Sequence, residues 1–243
     1  MNKVVFITGA SGVIGRDIAI EFGRKGYSVA IGYNQNISSA KELKELLEKN
    51  NISSEIFCFN AENFSESENV SKLVYEHFGR IDVLINNAGV SHYGLFSETD
   101  EADYQKIIGV NLGGAIAVTK GAMPYLLKNG GVILNISSIW GISGAAGEVL
   151  YSTTKAGLIG FTKALAKETA KSRIRVNCIA PGAIMSPMME NFSKEEIDSL
   201  VSEIPLGRLG TGQDVAALCL FLASSGAEYI TGQVFSPNGG MVI

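Results

Sequence analysis

Cysteine and clustered basic residues are scarce in this sequence, and each scarcity excludes a class of protein. Cys58, Cys178 and Cys219 are odd in number, far apart and outside any C-x-x-C pair, so neither a disulfide framework nor a zinc site is expected. All three lie in apolar runs, which predicts that they are small core residues. The net charge is −4 without a basic tract, so a nucleic-acid partner is not expected.

Long apolar runs are lacking as well. The longest, Ala216–Ala223, falls far short of the roughly 20 residues that a membrane span needs. The run Val4–Thr8 is too short for the core of a signal peptide, and it leads directly into a glycine-rich turn. These features predict a cytoplasmic protein in a reducing setting, without a membrane partner.

What is present is a regular alternation of apolar strands and helices over 243 residues, of which 46% are hydrophobic. Such alternation is typical of βαβ units, so it predicts an α/β fold: a doubly wound parallel sheet of about seven strands with helices on both faces. Because no linker, repeat or low-complexity tract divides the pattern, a single domain over residues 1–243 is expected.

The predicted strands are Lys3–Thr8, Ser28–Gly32, Glu55–Phe59, Asp82–Ile85, Val132–Ile136, Arg175–Ile179 and Gln233–Ser236. The predicted helices run from the first turn to about Lys25 and then over Ala40–Asn50, Ser65–Phe78, Asp100–Ile108, Leu112–Lys128, Leu150–Ala170, Ser193–Glu203 and Asp214–Ala223. Ser38 is the expected cap of the second helix. The stretch Ala183–Leu206 breaks the rhythm and predicts a loop that covers the substrate.

A glycine-rich turn, Thr8-Gly9-Ala10-Ser11-Gly12-Val13-Ile14-Gly15, joins the first strand to the first helix. In open parallel sheets a dinucleotide places its pyrophosphate at this helix N-terminus, and glycines let the backbone approach the phosphates. A glycine-rich turn alone is weak evidence, but its position directly after a first buried strand favours a nucleotide site.

The end of the second strand, Gly32-Tyr33-Asn34, bears on the choice of cofactor. Folds that prefer NAD commonly place an Asp or Glu here for the ribose hydroxyls, and such an acid would repel a 2′-phosphate. No acid is present, and Asn34, Gln35 and Asn36 can donate hydrogen bonds to a phosphate, although no Lys or Arg adds charge. The sequence therefore favours NADP(H) and leaves NAD(H) open.

Tyr151 and Lys155 are the candidate catalytic pair. Residues four apart share a helix face, and an ammonium beside a phenol is expected to lower the phenol's pKa, so that it can exchange a proton with a carbonyl oxygen. Ser138 at the end of the fifth strand and Asn86–Gly89 at the end of the fourth lie at the same predicted sheet edge. There the hydroxyl of Ser138 can hydrogen-bond a substrate oxygen.

In this order and spacing, the residues resemble the short-chain dehydrogenase/reductase family, in its compact single-domain branch with a Rossmann-like sheet, over essentially the whole chain. The matching positions are the glycine-rich turn, Asn86–Gly89, Asn111, Ser138, Tyr151, Lys155 and Pro181-Gly182. The resemblance implies a Ser–Tyr–Lys triad, with Asn111 holding a water that links Lys155 to solvent. It also implies that Lys155 binds the nicotinamide ribose.

Together, the turn and the resemblance imply one set of cofactor-binding residues: Gly9, Ser11, Gly12, Val13, Ile14, Gly15, Tyr33, Asn34, Asn60, Ala61, Asn87, Ala88, Gly89, Tyr151, Lys155, Pro181, Gly182 and Ile184. Asn60 stands by the adenine where the family usually has Asp, and Ser186 stands where it usually has Thr.

One departure from the family pattern concerns the turn. The compact branch usually reads G-x-x-x-G-x-G, whereas the glycines here fall at Gly9, Gly12 and Gly15 and position 13 is Val. This spacing is similar to that of the extended branch. The basic residue that many NADP-binding members carry at position 12 is absent, which bears on cofactor choice more than on cofactor binding.

Within the family, the C-terminal third resembles bacterial 3-oxoacyl-(acyl-carrier-protein) reductases of fatty acid biosynthesis, in Pro205–Gly210, Phe221–Ser224, Tyr229–Gln233 and Gly239–Val242. The resemblance implies NADP(H)-dependent reduction of a 3-oxoacyl thioester by a homotetramer. It also implies an acidic carrier protein docked by basic residues near the active-site mouth, for which Lys128, Lys171 and Arg173 are candidates. Positions 129 and 172, often Arg in such reductases, are Asn and Ser.

Two alternatives stay open. One is a dehydrogenase or reductase for another alcohol or ketone, such as a sugar, a steroid or a small hydroxy compound; the other is a non-catalytic nucleotide-binding protein. For His92, a position in a surface loop is favoured over a position that lines the cleft. Trp140 and Ile142 are expected to face substrate or a neighbouring subunit. Two roles are open for the methionines of the irregular segment: an adaptable apolar cover over the pocket, or packing in the core. They are Met185, Met188 and Met189.

Overall fold

The sheet has seven parallel strands in the order β3-β2-β1-β4-β5-β6-β7. The structure, a computed structural model, describes residues 2–186 and 193–243. The strands are β1 Val4–Ile7, β2 Ser28–Tyr33, β3 Ser54–Cys58, β4 Val83–Asn86, β5 Gly131–Ile136, β6 Ile174–Ile179 and β7 Val234–Phe235. The predicted α/β architecture, a Rossmann-like doubly wound sheet, is confirmed.

Helices connect the strands. They are α1 Val13–Arg24, α2 Ile37–Lys49, α3 Phe64–Phe78, α4 Glu101–Ile108, α5 Ala115–Asn129, α6 Trp140–Ser143, α7 Val149–Thr169, α8 Lys194–Ser202 and α9 Gly212–Ala223. The predicted helix over Leu112–Lys128 in fact begins in a π-helical turn, Gly109–Gly114, that joins α4 to α5 without a break. The short α6 was not predicted.

Two separate apolar cores lie on the two faces of the sheet, as a doubly wound fold requires. Ile18 of α1, Leu43 of α2 and Leu222 of α9 pack on one face. Val74 of α3 and Leu126 of α5 pack on the other. Because both faces are covered, the strands are almost continuously apolar rather than alternating.

Two local predictions were wrong. The cap of α2 is Asn36 rather than Ser38, since the Asn36 side chain accepts a hydrogen bond from Ser39 N at 3.0 Å. Cys58 is exposed rather than a core residue, because it lies at the end of the edge strand β3. Cys178 and Cys219 are buried as expected.

The helical stretch 101–129 is long and apolar enough to cross a membrane by length and composition alone, whereas the sequence predicted no such stretch. Of its most apolar window, 44% is buried inside the molecule. A core helix of a protein outside membranes passes the same test, so this feature is weak evidence for a membrane.

Candidate active site

The glycine-rich turn lies where the strand order reverses, between β1 and β4. Gly9 has a φ of +62°, which favours glycine, and a Cβ on Gly15 would come within 2.5 Å of the Gly9 carbonyl oxygen. By contrast, a Cβ on Gly12 would come no closer than 3.5 Å to that same oxygen. The turn therefore needs glycine at positions 9 and 15, whereas position 12, at the start of the helix, has room for a side chain.

The start of α1 offers free backbone donors. Its N-cap, Gly12, has no side chain to cap the helix, and the first turn of α1 carries no acidic residue. The first N–H groups of a helix lack partners within the helix and carry a partial positive charge. This end of α1 can hold a phosphate of a dinucleotide, with Ser11, Val13 and Ile14 beside it.

Hydrogen bonds of Thr8 connect this turn to the loop after β4. Its hydroxyl oxygen accepts hydrogen bonds from the backbone N–H groups of Asn87 and Ala88, each at 3.0 Å. The Asn87 side chain in turn donates to the carbonyls of Thr8 at 3.1 Å and Gly9 at 3.0 Å. Sequence reasoning did not give Thr8 a role; its position at the end of β1, opposite the end of β4, was the available signal.

The far end of the cleft gathers Tyr33, Asn34, Cys58 and Asn60. Asn34 Nδ2 donates to Asn60 Oδ1 at 3.4 Å, and Cys58 Sγ donates to the Asn34 carbonyl at 3.5 Å. Burial and a hydrogen bond with Cys58 raise the pKa of the Tyr33 phenol. Within the described residues, these side chains are neutral, and the carboxamide nitrogen of Asn60 donates to no protein atom.

The catalytic candidates meet beyond the ends of β5 and β4. The Ser138 hydroxyl accepts a hydrogen bond from Trp140 N at 3.2 Å, and it lies close enough to the Tyr151 phenol to act on the pKa of that phenol. The Lys155 ammonium lies 5.4 Å from the centre of the Tyr151 ring and donates to the carbonyl of Ile136 at 2.9 Å. Ser137 fixes α7 against β5, since its hydroxyl donates to the Lys155 carbonyl at 2.7 Å. The geometry thus brings together all three residues of the predicted triad.

Asn111 lies in the π-helical turn between α4 and α5, and it is fully buried. Its side chain accepts from Val90 N at 2.8 Å and donates to Val90 O at 2.9 Å and to Thr154 Oγ1 at 3.2 Å. The side chain is therefore committed to protein groups. A water between Lys155 and solvent would have to use the Asn111 backbone carbonyl, in a turn where π-helical geometry rearranges the usual helix bonds.

The protonation of the pair differs from the sequence expectation. Burial raises the pKa of Tyr151, while the Ser138 hydroxyl acts in the opposite direction and Glu148 raises it further. Burial lowers the pKa of Lys155 to about 8. The expected lowering of the Tyr151 pKa is not found, because the ammonium lies over the ring and bonds Ile136 rather than the phenol oxygen.

Pro181, Gly182 and Ile184 extend from the end of β6 along the cleft. Ile139 N donates to the Pro181 carbonyl at 3.0 Å, which ties this segment to the turn that carries Ser138. A Cβ on Gly182 would lie 2.8 Å from Asn238 Cα, so the segment packs closely on the C-terminal tail. Of the predicted cover, Met185 is half exposed, and Met188 and Met189 lie outside the described residues.

The remaining cofactor candidates also lie at this edge of the sheet. Ala61 follows β3 beside Asn60 and is buried. Gly89 stands next to the catalytic group, since a Cβ there would lie 3.3 Å from Lys155 Nζ and 3.4 Å from Asn111 Oδ1. The loop after β4 therefore passes from the glycine-rich turn to the triad.

Exposed apolar side chains surround the mouth of the cleft. They include Tyr93, Leu95 and Phe96 after β4, with Tyr93 packed against Gly147. Ile142 of α6 is 49% exposed, and its contact with substrate or a neighbouring subunit stays a prediction. His92 lies on this loop with its Nδ1 3.3 Å from an Asp103 carboxylate oxygen.

The basic candidates for carrier-protein docking lie elsewhere. Lys128 ends α5 just before β5 begins, and Lys171 and Arg173 immediately precede β6. Parallel strands place these residues at the amino edge of the sheet, whereas Ser138 follows the carboxyl end of β5. The length of a six-residue strand, about 20 Å, separates the two edges. Within one chain these residues do not line the mouth of the site, contrary to expectation.

Known proteins are similar in sequence to this chain over essentially its whole length. A family model described as enoyl-(acyl carrier protein) reductase matches residues 9–242. An uncharacterized oxidoreductase of Bacillus subtilis, YmfI, is 41% identical, with 99% of each chain covered. The 3-oxoacyl-(acyl-carrier-protein) reductase FabG of Thermotoga maritima is 40% identical over 100% of this chain and 98% of its own. The FabG of Staphylococcus aureus strain Mu50 is 38% identical over 99% and 98%.

Proposed function

The chain belongs to the short-chain dehydrogenase/reductase family, and from that premise we propose that it reduces 3-oxoacyl thioesters with NADP(H). Membership makes it an NAD(P)-dependent oxidoreductase that interconverts an alcohol and a carbonyl compound. The substrate, the preferred cofactor and the roles of individual residues are the proposal. The observation that carries it is the contact of Ser138, Tyr151 and Lys155 at the carboxyl edge of the sheet.

The residues fit a nicotinamide dinucleotide. A Cβ on Gly9 or Gly15 would lie 2.9 or 2.5 Å from backbone atoms, so these glycines keep the turn compact, and the uncapped start of α1 beside it has N–H groups for a phosphate. At the other end of the cleft, Asn60 has a carboxamide donor for the adenine. Lys155 would hold the nicotinamide ribose, and Pro181, Gly182 and Ile184 would flank the ring. When bound, the reduced cofactor supplies the hydride that the carbonyl carbon receives.

Tyr151 would supply the proton. Because burial raises its pKa, the phenol is protonated at neutral pH, which is the form that a general acid needs. The Ser138 hydroxyl, which Trp140 N fixes by a hydrogen bond of 3.2 Å, would hold the substrate carbonyl oxygen beside Tyr151. As that oxygen becomes an alkoxide, it takes the phenol proton and leaves Tyr151 as a phenolate.

Lys155 and Asn111 would return a proton to Tyr151. A pKa of about 8 lets Lys155 release a proton near neutral pH more readily than an ordinary lysine. Asn111 would hold the connecting water through its backbone, since its side chain is bonded to Val90 and Thr154. This route would lead from the buried ammonium to solvent.

The choice of NADP(H) rests on four neutral side chains at the far end of the cleft, where the Glu66 carboxylate is bonded to Asn60 N at 2.9 Å. Within the described residues there, Tyr33, Asn34, Cys58 and Asn60 present no carboxylate that would repel a 2′-phosphate. Asn34 and Gln35 have amide donors for it. None of these side chains is a cation, so NAD(H) is expected to bind as well. The difference in affinity between NADP(H) and NAD(H) should be smaller than an Arg at this end would create.

We further propose a cytoplasmic homotetramer. Tyr229, Phe221 and Ile243 near the C-terminus are exposed apolar residues, and only 44% of the apolar window in helix 101–129 is buried within one chain. Contact between copies would bury both surfaces. An acyl carrier protein is the proposed carrier of the thioester, since the two FabG relatives described above are named 3-oxoacyl-(acyl-carrier-protein) reductases.

A second candidate is a reductase for another ketone, such as a sugar, a steroid or a small hydroxy compound. The placement of Lys128, Lys171 and Arg173 at the amino edge favours it, because these cations do not lie at the mouth of their own chain's site. The neutral Asn129 and Ser172 between them point the same way.

Initial rates decide between the two. Purified protein is expected to oxidise NADPH with an acetoacetyl thioester, and faster than NADH at equal concentration. A panel of sugar, steroid and small ketones under the same conditions tests the alternative. Turnover of a panel ketone with no turnover of any acyl thioester would replace the proposed substrate, and would leave the oxidoreductase assignment in place.

A further inference from the structure

The Asp214 carboxylate, in the first turn of α9, binds the stretch of chain that precedes the helix. Its oxygens accept hydrogen bonds from Arg208 Nη1 at 2.8 Å and from Arg208 Nη2 at 2.9 Å, a two-point contact. They also accept from the Thr211 backbone N–H at 2.8 Å and from the Thr211 hydroxyl at 2.9 Å. The bond from Arg208 holds the pKa of the Asp214 carboxyl well below its usual range, so the group is charged at neutral pH. Residues 208–211 are therefore bound at both ends to one carboxylate.

Gly210, inside this stretch, is hydrogen-bonded to the segment that follows β6. Its N–H donates to the Ala183 carbonyl at 2.9 Å, and its carbonyl accepts from Met185 N at 2.8 Å. Ile184 lies opposite Gly210 in this short parallel bridge. A Cβ on Gly210 would lie 2.6 Å from Ile184 Cδ1, so the two pieces of chain are in close contact. The stretch that the carboxylate binds therefore supports the segment after β6 from one side.

The segment after β6 has a second support, which holds only its beginning. Gly182 N donates to the carbonyl of Pro237 in the C-terminal tail at 3.2 Å. Beyond Gly182, the bonds to Gly210 are the hydrogen bonds that fix the backbone of residues 183–185 among the described residues. A shift of Gly210 would therefore move Ile184 while Gly182 stays bonded to the tail.

We propose that the Arg208–Asp214 ion pair acts through Gly210 to position the segment that flanks the nicotinamide ring. This inference rests on the proposed role of that segment in cofactor binding. Both partners are positioning residues, since neither needs to touch the cofactor. An ion pair as exposed as this one adds little to the free energy of unfolding, but a two-point contact fixes geometry. Loss of the pair is therefore expected to loosen one end of the cofactor site while the fold persists.

Two ligands that differ by one group test the proposal without turnover. NADPH and 2′-phospho-ADP-ribose share every part except the nicotinamide, so the ratio of their affinities measures what the nicotinamide adds to binding. Calorimetric titration of the full-length protein gives both affinities. In Arg208→Gln the ratio is expected to fall by about threefold to fivefold, the upper range for loss of an exposed ion pair. The fall should come from weaker binding of NADPH, while 2′-phospho-ADP-ribose binds nearly as before.

Variants of opposite charge separate positioning from electrostatics. Arg208→Gln removes a positive charge and Asp214→Asn a negative one, so a long-range effect on the cofactor phosphates would have opposite signs in the two. If the pair positions the segment, both variants lower the ratio, and the double variant lowers it no further. Arg208→Lys keeps the charge and is expected to restore part of the ratio. Arg24→Gln breaks the ion pair with Glu21 on α1 and is the control, which should leave the ratio unchanged.

The outcomes distinguish this proposal from the proposed substrate. If the ratio stays at the parental value in a folded Arg208→Gln variant, whether neither ligand or both lose affinity, the proposal is wrong. If the parent itself binds the two ligands equally, the nicotinamide does not lie against this segment and the proposal is wrong as well. If the ratio falls but no acyl thioester is reduced, the proposal stands and the substrate assignment fails.

Discussion

The two ends of the cleft are built differently. At the catalytic end, the Lys155 ammonium, the Ser138 hydroxyl and the Asn111 amide are buried and each is bonded to a protein group. At the far end, Asn34 bonds Asn60 at 3.4 Å and Cys58 at 3.5 Å, and both bonds lie at the surface. Short buried bonds fix geometry, and long exposed ones do not. Reaction chemistry is thus held rigidly by the fold, while cofactor preference depends on a few exposed side chains.

The largest expected effect comes from the catalytic end. Tyr151→Phe removes the proton donor and keeps the ring over which Lys155 lies. The value of kcat/KM for an acetoacetyl thioester should fall by about 10²–10⁴-fold, the usual contribution of a general acid. Tyr93→Phe, on the exposed loop, is the control and should change kcat little. If the Tyr151→Phe variant kept parental activity, the assignment of the proton transfer to this end of the cleft would be wrong.

The glycine-rich turn between the two ends should give the next largest effect. Gly15→Ala places a methyl group 2.5 Å from the Gly9 carbonyl oxygen and 2.7 Å from Ala10 Cα, both backbone atoms that must move. Affinity for NADPH, measured by fluorescence titration, is expected to fall more than about tenfold, since displaced phosphate donors cost over a kcal/mol.

The control for that prediction is Gly160→Ala. Nothing lies within 4 Å of a Cβ at Gly160, an exposed position in α7, so alanine should leave cofactor affinity unchanged. Equal affinity for NADPH in the Gly15→Ala variant and the parent would show that the turn tolerates a side chain, and so does not cradle a phosphate.

A smaller and more selective effect is expected at the far end. Asn34→Asp adds a carboxylate where the second strand ends, and it should weaken NADPH binding by about tenfold through repulsion of the 2′-phosphate while NADH binding changes little. The ratio of the two dissociation constants is the measurement. Asn50→Asp, at the opposite end of α2, carries the same added charge and should not change the ratio. An equal loss for both cofactors would contradict the proposed placement of the phosphate.

Most of the fold could be predicted from the sequence because buried parallel strands are continuous apolar runs. Val4–Ile7 and Ser28–Tyr33 are recognisable in this way, and Gly79, with a φ of +75°, ends α3 as its residue type predicts. Errors fell where two residues of similar propensity compete, as at the α2 cap, where Asn36 and not Ser38 accepts the bond. The exposure of Cys58 could not be predicted, since it depends on β3 being an edge strand.

The sequence by itself determined which residues carry chemistry: a Ser, a Tyr and a Lys in family order, and a glycine-rich turn after the first strand. Their spacing is local or shared with relatives, so one chain suffices to read it. Only the tertiary structure determined the environment of each of these side chains. It placed Lys155 against Ile136 instead of the phenol oxygen, and Lys128 and Arg173 at the edge away from the site. Burial, charge proximity and strand order arise only when distant segments pack, and these set the pKa values on which the chemistry depends.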